Sequence, residues 1–549
     1  MPDKEKNNLK TNWSRNAVVY QIYPLSFKDS NHDGSGDLNG IISSLHYLND
    51  GTPNSLGIGA IWISPIYKSP MKDCGYDISD YYDINPLFGS LADFDRLIKE
   101  AHKREIKVIM DFVINHTSSE HPWFLESKSS LNNPRRNWYI WRDPKEDGSP
   151  PNNWLSIFGG SAWTFDETTR QYYFHSFLPE QPDLNWRNEA VRNEMMGVVR
   201  FWLKRGVDGF RVDALDTLME DGYLRDDPAN PKYDVKIDEE YKSLEHSFSR
   251  VPSETKYCTN ILCNTVSEFE NKFVISEADA KIPMMAEMFR SCDKTIHSPF
   301  NFNLMRLPWK AEEFKKFVDE YEKSLRPEDW PNYVFGNHDR PRLRDRTGES
   351  KLKVAAMLLL TLRGMPFIYY GEELGMKNAK VSTEEIKDMF ALRVNNPKSS
   401  RDPERSPMQW NADANAGFSE VKPWLPLADD YKQKNVETES QDPNSLLNLY
   451  KSLINSRNNS DVLKFGSYKS LDTKSPDVFA YIREYEDKKI LIMLNFSDKQ
   501  IEEPLPFPKV TALISGNQEY PAGEVISADS IIIKPNSGYV FDVHDTNYE

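Results

Sequence analysis

Cysteine, long apolar runs and surplus positive charge are what this 549-residue chain has little of. Four cysteines, Cys74, Cys258, Cys263 and Cys292, are too few for a disulfide framework and lack metal-ligand spacing. They read as buried or free thiols, with Cys258 and Cys263 close enough in sequence to bridge a small loop in an oxidising compartment. No run of about 18 apolar residues occurs, so no membrane span is expected. The opening segment, MPDKEKNNLKTNWSRN, is polar and has no apolar signal core, so the chain is expected to be soluble without a signal peptide. Against 84 Asp and Glu stand only 68 Lys and Arg, a formal charge of −16, which argues against nucleic acid or an anionic membrane as partner. A neutral ligand fits better.

Core-forming material is plentiful: 39% of residues are hydrophobic and 12% aromatic. The length exceeds what one hydrophobic core supports, so two or three domains are expected. Apolar runs at 17–23, 60–66, 107–113, 209–215, 273–277, 295–302, 333–337 and 366–370 give eight candidate strands, with helical patterns between them. In SLADFDRLIKEAHKR, Ser90 and Asp93 form a capping-box pattern ahead of Phe94, Leu97, Ile98 and Ala101, whose spacing marks one apolar helix face. This alternation predicts an α/β fold, a (β/α)8 TIM barrel, over 13–115 and 191–459. The segment 116–190, rich in Asn, Pro, Trp and Tyr, is too long for a barrel connection and reads as an inserted subdomain after the third strand. A second irregular stretch, 396–433, contains SRDPERSPMQW and reads as a lid. From 460 to 549 short alternating runs such as VFAYIRE and KKILIMLNF predict a C-terminal antiparallel β-domain.

Three acids follow such runs: Asp213 in GFRVDALDT, Glu277 in VISEA and Asp339 in FGNHDRPR. Parallel barrel strands would deliver them to one rim, the C-terminal face where barrel active sites lie. Paired carboxylates are what glycosidic hydrolysis needs. In a retaining mechanism one attacks the anomeric carbon while a second, about 5 to 5.5 Å away, protonates the leaving oxygen and then activates water. Asp213 fits the nucleophile and Glu277 the acid/base. A separate segment, DSNHDGSGD, sets Asp29, Asn31, Asp33 and Asp37 at alternating positions among glycines, hard oxygen donors that suit Ca²⁺. It is not a full EF-hand, because Gly40 stands where a bidentate Glu is needed, and its plain alternative is a polar turn.

The set DFVINH, GFRVDA, ISEA and FGNHD resembles the four signature segments of glycoside hydrolase family 13, the α-amylase family. Stretches such as PPNNWLSIFGGSAWTF, QPDLNWRN and GYDISDYYDI extend the resemblance over nearly the whole chain, towards the α-glucosidase branch and its animal and insect maltases and sucrases. The resemblance implies Asp213 as nucleophile, Glu277 as acid/base and Asp339 as a third carboxylate that grips sugar hydroxyls. It implies Asp73 and Tyr76 in the terminal-glucose subsite, His116 and His338 as donors to hydroxyls, and Arg211 orienting Asp213, with Asp111 either bracing Arg211 or purely structural. Arg401 resembles an arginine that reaches the same glucose; Arg405 is its substitute or a lid salt bridge. Related α-glucosidases bind calcium in the matching loop, so a structural Ca²⁺ and no organic cofactor are expected. Ser276 and Asp279 depart from the usual pattern around the acid and put acceptor-side contacts in question. Ala214, directly after the nucleophile, is small where enzymes cleaving α-1,6 bonds carry Val, which implies α-1,4 preference.

These observations imply a retaining exo-acting α-glucosidase acting on maltose, short malto-oligosaccharides or sucrose, so the partner is a small sugar. The alternative within enzymes is a transglucosylase or sucrose isomerase, which differs only in the acceptor. Outside enzymes stand the transporter heavy subunits that share the barrel, but those lack a complete catalytic set and carry a membrane span. Because relatives are commonly secreted or membrane-attached, a full-length form in that compartment is expected, and sequons at Asn12, Asn115, Asn458 and Asn495 are compatible with it.

Overall fold

The computed structural model describes residues 12–544 apart from 279, 293, 294 and 518, so Asp279 lies outside the described residues. Eight strands form one parallel sheet: β1 (Val19–Ile22), β2 (Ala60–Ile63), β3 (Lys107–Val113), β4 (Gly209–Asp213), β5 (Phe273–Ser276), β6 (Ile296–Pro299), β7 (Asn332–Val334) and β8 (Met365–Tyr369). Their order, β6-β5-β4-β3-β2-β1-β8-β7, is that of a TIM barrel opened between β6 and β7. No ladder joins those two strands among the described residues; side chains close the gap. The Asn332 amide donates to Ser298 Oγ at 2.8 Å and to the Pro299 carbonyl at 2.6 Å, while its oxygen accepts from the Asn301 N–H at 3.0 Å.

The strands are buried on both faces. Val19, Trp62, Ile109, Ile275, Phe300 and Phe367 belong to one apolar cluster, whereas Tyr20, Ile61, Val108, Phe210 and Val274 belong to a larger one shared with the surrounding helices. Two-sided burial explains why these runs are continuously apolar. Gly209 has a steric reason: a Cβ there would stand 2.6 Å from the Phe273 carbonyl oxygen, inside contact distance on the neighbouring strand. Helix Leu91–His102 starts at a complete capping box of Ser90 and Asp93 and buries Phe94, Leu97, Ile98 and Ala101.

Between β3 and β4 the chain builds a three-stranded antiparallel sheet from Trp141–Arg142, Trp163–Asp166 and Gln171–Phe174 around an aromatic core of Trp154, Trp163 and Phe174. The stretch 396–433 holds only short 3-10 turns. Past 466 come a six-stranded and a two-stranded antiparallel sheet. A buried arginine ties this region to the barrel: Arg483 donates to the carbonyls of Thr361 and Gly466, while Arg457, on the helix Leu446–Asn458 ahead of it, donates to those of Leu360, Leu362 and Gly364.

The cysteines pair otherwise than expected. Cys263 is bonded to Cys292, and Cys258 is a buried free thiol. Cys258 and Cys263 share helix Pro252–Val266, where five residues of rotation at about 100° each place them on different faces. Two of the sequons are inaccessible, since Asn115 and Asn495 are buried. Among the described residues no helix is long and apolar enough to cross a membrane.

Candidate active site

The C-terminal ends of β3, β4 and β5 bring together one cation and three acids. Arg211, fully buried on β4, donates through Nη1 to both oxygens of Asp111 at 2.9 and 3.1 Å and to Asp213, and through Nη2 to Glu277. The strand register makes this possible, because Arg211 pairs with Asp111 on β3 and with Ile275 on β5. The Trp62 ring lies 5.0 Å beneath the guanidinium, and its indole N–H donates to Asp111 at 3.2 Å. Asp213 ends β4 because Ala214 turns left-handed, with φ 44° and ψ 44°. Glu277 directly follows β5; its amide donates to the Val212 carbonyl at 2.8 Å, and the Leu215 amide returns a bond to the Glu277 carbonyl at 2.9 Å.

Asp339 reaches the same space from the loop beyond β7, not from the strand end. It accepts from Arg401 at 3.2 Å and Arg405 at 2.9 Å, and lies 3.4 Å from His338 Nε2. Arg401 also grips Asp73 at 3.0 Å and Asp388 at 2.7 Å. Arg405 holds the His338 carbonyl at 2.8 Å, so it does more than seal the lid. The His338 and Tyr76 rings stack with centroids 5.4 Å apart; Tyr76 Oη lies 2.7 Å from His338 Nε2 and donates to Asp111 at 3.1 Å. His116 Nε2 faces the Tyr76 carbonyl at 3.1 Å and Gln181 at 3.0 Å, and Gln181 donates to Asp73 at 3.1 Å.

Electrostatics separate these acids. Burial pushes Asp213 up to about 7 and Glu277 up to about 8; Arg211 opposes both shifts, and the neighbouring carboxylates add to them. Glu277 is raised further than Asp213, so a proton shared by the pair favours Glu277. Burial also raises Asp111, to about 6. Asp339 goes the other way: burial would raise it, but His338, Arg401 and Arg405 together hold it well below the usual carboxylate range. Burial lowers His338 to about 3 and His116 to about 4, so both are neutral at pH 7.

All nine site residues named from sequence thus belong to one network of contacts, His116 joining through Gln181. Sequence reasoning missed Gln181, Asp388, Trp62 and Phe158, whose ring lies 5.1 Å under Arg401. A polar Gln in QPDLNW and an Asp ahead of the lid carry no local signal. Ser276 needs correction: fully buried, it bonds to His297 at 2.8 Å and is shut off from any acceptor.

The four oxygen-bearing residues of the first loop lie apart from this centre. Asp29 accepts from the amides of Asn31, His32 and Gly34 and from Ser419 Oγ; Asp37 accepts from Ser30 and from the Gly40 amide, which caps helix Leu38–Leu48. Among the described residues no three His, Cys, Asp or Glu side chains stand close enough together to hold a metal. Both Asp29 oxygens and Asp37 Oδ1 already accept two donors each, whereas Asp37 Oδ2 and the two Asp33 oxygens accept one each and keep a lone pair that suits calcium.

The chain is similar to known proteins over nearly its whole length. The α-amylase catalytic-domain model matches residues 21–466, and the maltogenic amylase C-terminal domain model matches 468–527. An oligo-1,6-glucosidase of Parageobacillus thermoglucosidasius is 36% identical, covering 97% of this chain and 99% of its own. The α-glucosidase of Apis mellifera is 39% identical over 90% of this chain and 87% of its own. Among solved structures, an α-glucosyl transfer enzyme superposes with a TM-score of 0.89 at 37% identity, over 97% of this chain and 100% of that one. A trehalulose synthase superposes at 0.86 with 33% identity, over 97% of this chain and 100% of that one. The chain belongs to the α-amylase family of glycoside hydrolases.

Proposed function

We propose that this protein is a retaining, exo-acting α-glucosidase that removes terminal glucose from maltose, short malto-oligosaccharides or sucrose. The observation that carries the reading is the single guanidinium of Arg211 bonded to both Asp213 and Glu277. A shared planar cation holds the two carboxyls close together, which supports the short spacing of a retaining pair, about 5 to 5.5 Å, over the about 6.5 to 9.5 Å of an inverting one. In this reading Asp213 attacks the anomeric carbon while Glu277 gives its proton to the departing oxygen. Glu277 then deprotonates water for the second displacement. Asp73, Arg401 and Asp339 bind hydroxyls of the glucose, with Tyr76 as its platform and His116 and His338 as neutral donors. Arg401 bridges Asp73 and Asp388, and in this reading that lattice forms the blind end that limits removal to one terminal unit.

Maltose, isomaltose, sucrose and trehalose, incubated separately with time-resolved product analysis, test the reading: free glucose from maltose is expected, and no cleavage of any of the four would overturn it. Proton NMR should show α-glucose first, whereas initial β-glucose would contradict retention. A second reading, transfer of glucose to a sugar, draws support from the similarity to a glucosyl transfer enzyme and a trehalulose synthase; transfer products outweighing free glucose would favour it. Calcium is proposed as a structural ion held by Asp29, Asn31, Asp33 and Asp37, where it would brace the β1 loop and not take part in chemistry.

A further inference from the structure

A cavity of about 490 Å³ opens at the N-terminal ends of β5, β6 and β7, the pole of the barrel away from Asp213 and Glu277. Asn271 stands ahead of β5, Ile296 at the start of β6 and Trp330 ahead of β7, so the cavity spans the seam between β6 and β7. Its volume falls within the range of small-molecule sites, about 300 to 1,000 Å³. Nothing in the catalytic reading uses it.

Cations in its wall outnumber their partners. Arg15, Arg290 and Arg326 line it together with two carboxylates, Glu328 and Asp329. Arg326 takes up both, at 3.3 Å from Glu328 and 2.8 Å from Asp329. Among the described residues neither Arg15 nor Arg290 forms an ion pair; Asp293 and Lys294, outside the described residues, add one charge of each sign. Arg15 spends Nη2 on the Glu328 carbonyl at 3.0 Å, and its Nη1 is buried without a partner. The indole N–H of Trp330 is likewise buried and unpartnered, on a residue only 4% exposed whose ring lies 5.4 Å from the Arg15 guanidinium and 5.3 Å from that of Arg363. Burial lowers the Arg15 pKa and Arg363 adds to the shift, while Glu328 and Asp329 oppose it. A desolvated cation beside an indole N–H, each short of an acceptor, is what an anionic oxygen satisfies.

We propose that this cavity binds a small oxyanion, the carboxylate or phosphate group of a compact metabolite, between Arg15, Arg290 and the Trp330 indole, and that the bound anion ties the β6 side of the seam to the β7 side. The inference goes beyond the glucosidase reading and does not depend on it. A guanidinium serves either headgroup, since carboxylate and phosphate oxygens both accept strongly from it. Phe289 and Ile296, in the same wall, give the body of the ligand an apolar surface.

The test is thermal melting with inorganic phosphate or citrate at millimolar concentration, below the range of general salt stabilisation, at constant ionic strength. It compares wild type with Arg15→Ala, Arg15→Lys and Trp330→Phe. An anion held only by the native state should raise the wild-type Tm by about 2 °C at a hundredfold excess over Kd. A rise with phosphate alone would assign a phosphate headgroup, and one with citrate alone a carboxylate. Arg15→Ala should weaken binding by about tenfold or more, the effect of losing a charge-assisted bond, and Trp330→Phe, which keeps a ring, by about fivefold. Arg15→Lys should recover part of the affinity because the charge stays. No rise with either anion would overturn the proposal. So would a rise that Arg15→Ala and Trp330→Phe both keep in full, because the anion would then sit elsewhere.

Discussion

Burial, opposed by Arg211, sets the charge state of Asp213 and Glu277, and the pH profile is where that shows. Asp213 must be an anion and Glu277 an acid, so kcat/KM should fall as pH drops through about 7 and fall again as it rises through about 8. Asp111 raises the nucleophile by its negative charge. Asp111→Asn should therefore move the acid limb to lower pH; an unmoved limb would contradict the coupling. Ala214 ties linkage to backbone. A small side chain leaves room for an α-1,4 partner, and a methyl group or two discriminates by about 1 to 3 kcal/mol, so maltose should beat isomaltose by about tenfold or more. Ala214→Val should narrow that ratio. Because φ is 44° there, a branched residue also costs about 1 to 2 kcal/mol of stability, so the ratio of the two sugars and not the absolute rate is the readout. Equal kcat/KM for the two sugars in wild type would refute the role given to Ala214. Several relatives are oligo-1,6-glucosidases, which makes this comparison a sharp one.

Two elements outside the catalytic centre lend themselves to stability measurements. The loop from Asp29 to Asp37 is already wired to its own amides, so calcium would add to a formed turn. A chelator should lower Tm, since an ion held only by the native state stabilises it by mass action. Identical melting with and without calcium would make the loop a turn only. The Cys263–Cys292 bond closes a loop of sequence separation 29 around β5, the strand that carries Glu277. Loop-closure entropy puts its contribution at about 3 to 4 kcal/mol. Reduction or Cys292→Ser should lower Tm by several degrees, and an unchanged Tm would show that packing alone fixes that helix.

At the scale of the whole molecule, elements with strong local chemistry were legible and those set by long-range contact were not. The capping box of helix Leu91–His102 and the two-sided burial of the strands were readable because each is written into adjacent residues. Asp213, Glu277 and Asp339 were readable because a motif surrounds each. Gln181 and Asp388 were not, because what they hold, Asp73 and Arg401, lies far away in sequence. The cysteine pairing failed for the same reason: proximity in sequence pointed to Cys258, whereas helix rotation and the return of the chain after β5 bring Cys292 to Cys263. Closure of the barrel by Asn332, in place of a ladder, also depends on two strands whose meeting no local pattern announces.

The central claim is that Asp213 forms a covalent bond to glucose while Glu277 handles protons. Mass spectrometry of the Glu277→Gln variant mixed with α-glucosyl fluoride addresses it, because fluoride leaves without a proton and the missing base slows release. The expected result is a glucosyl group on the peptide that contains Asp213, absent when Asp213→Asn is added. A glucosyl group on Asp339 or another carboxylate, or rapid turnover with no adduct, would contradict it.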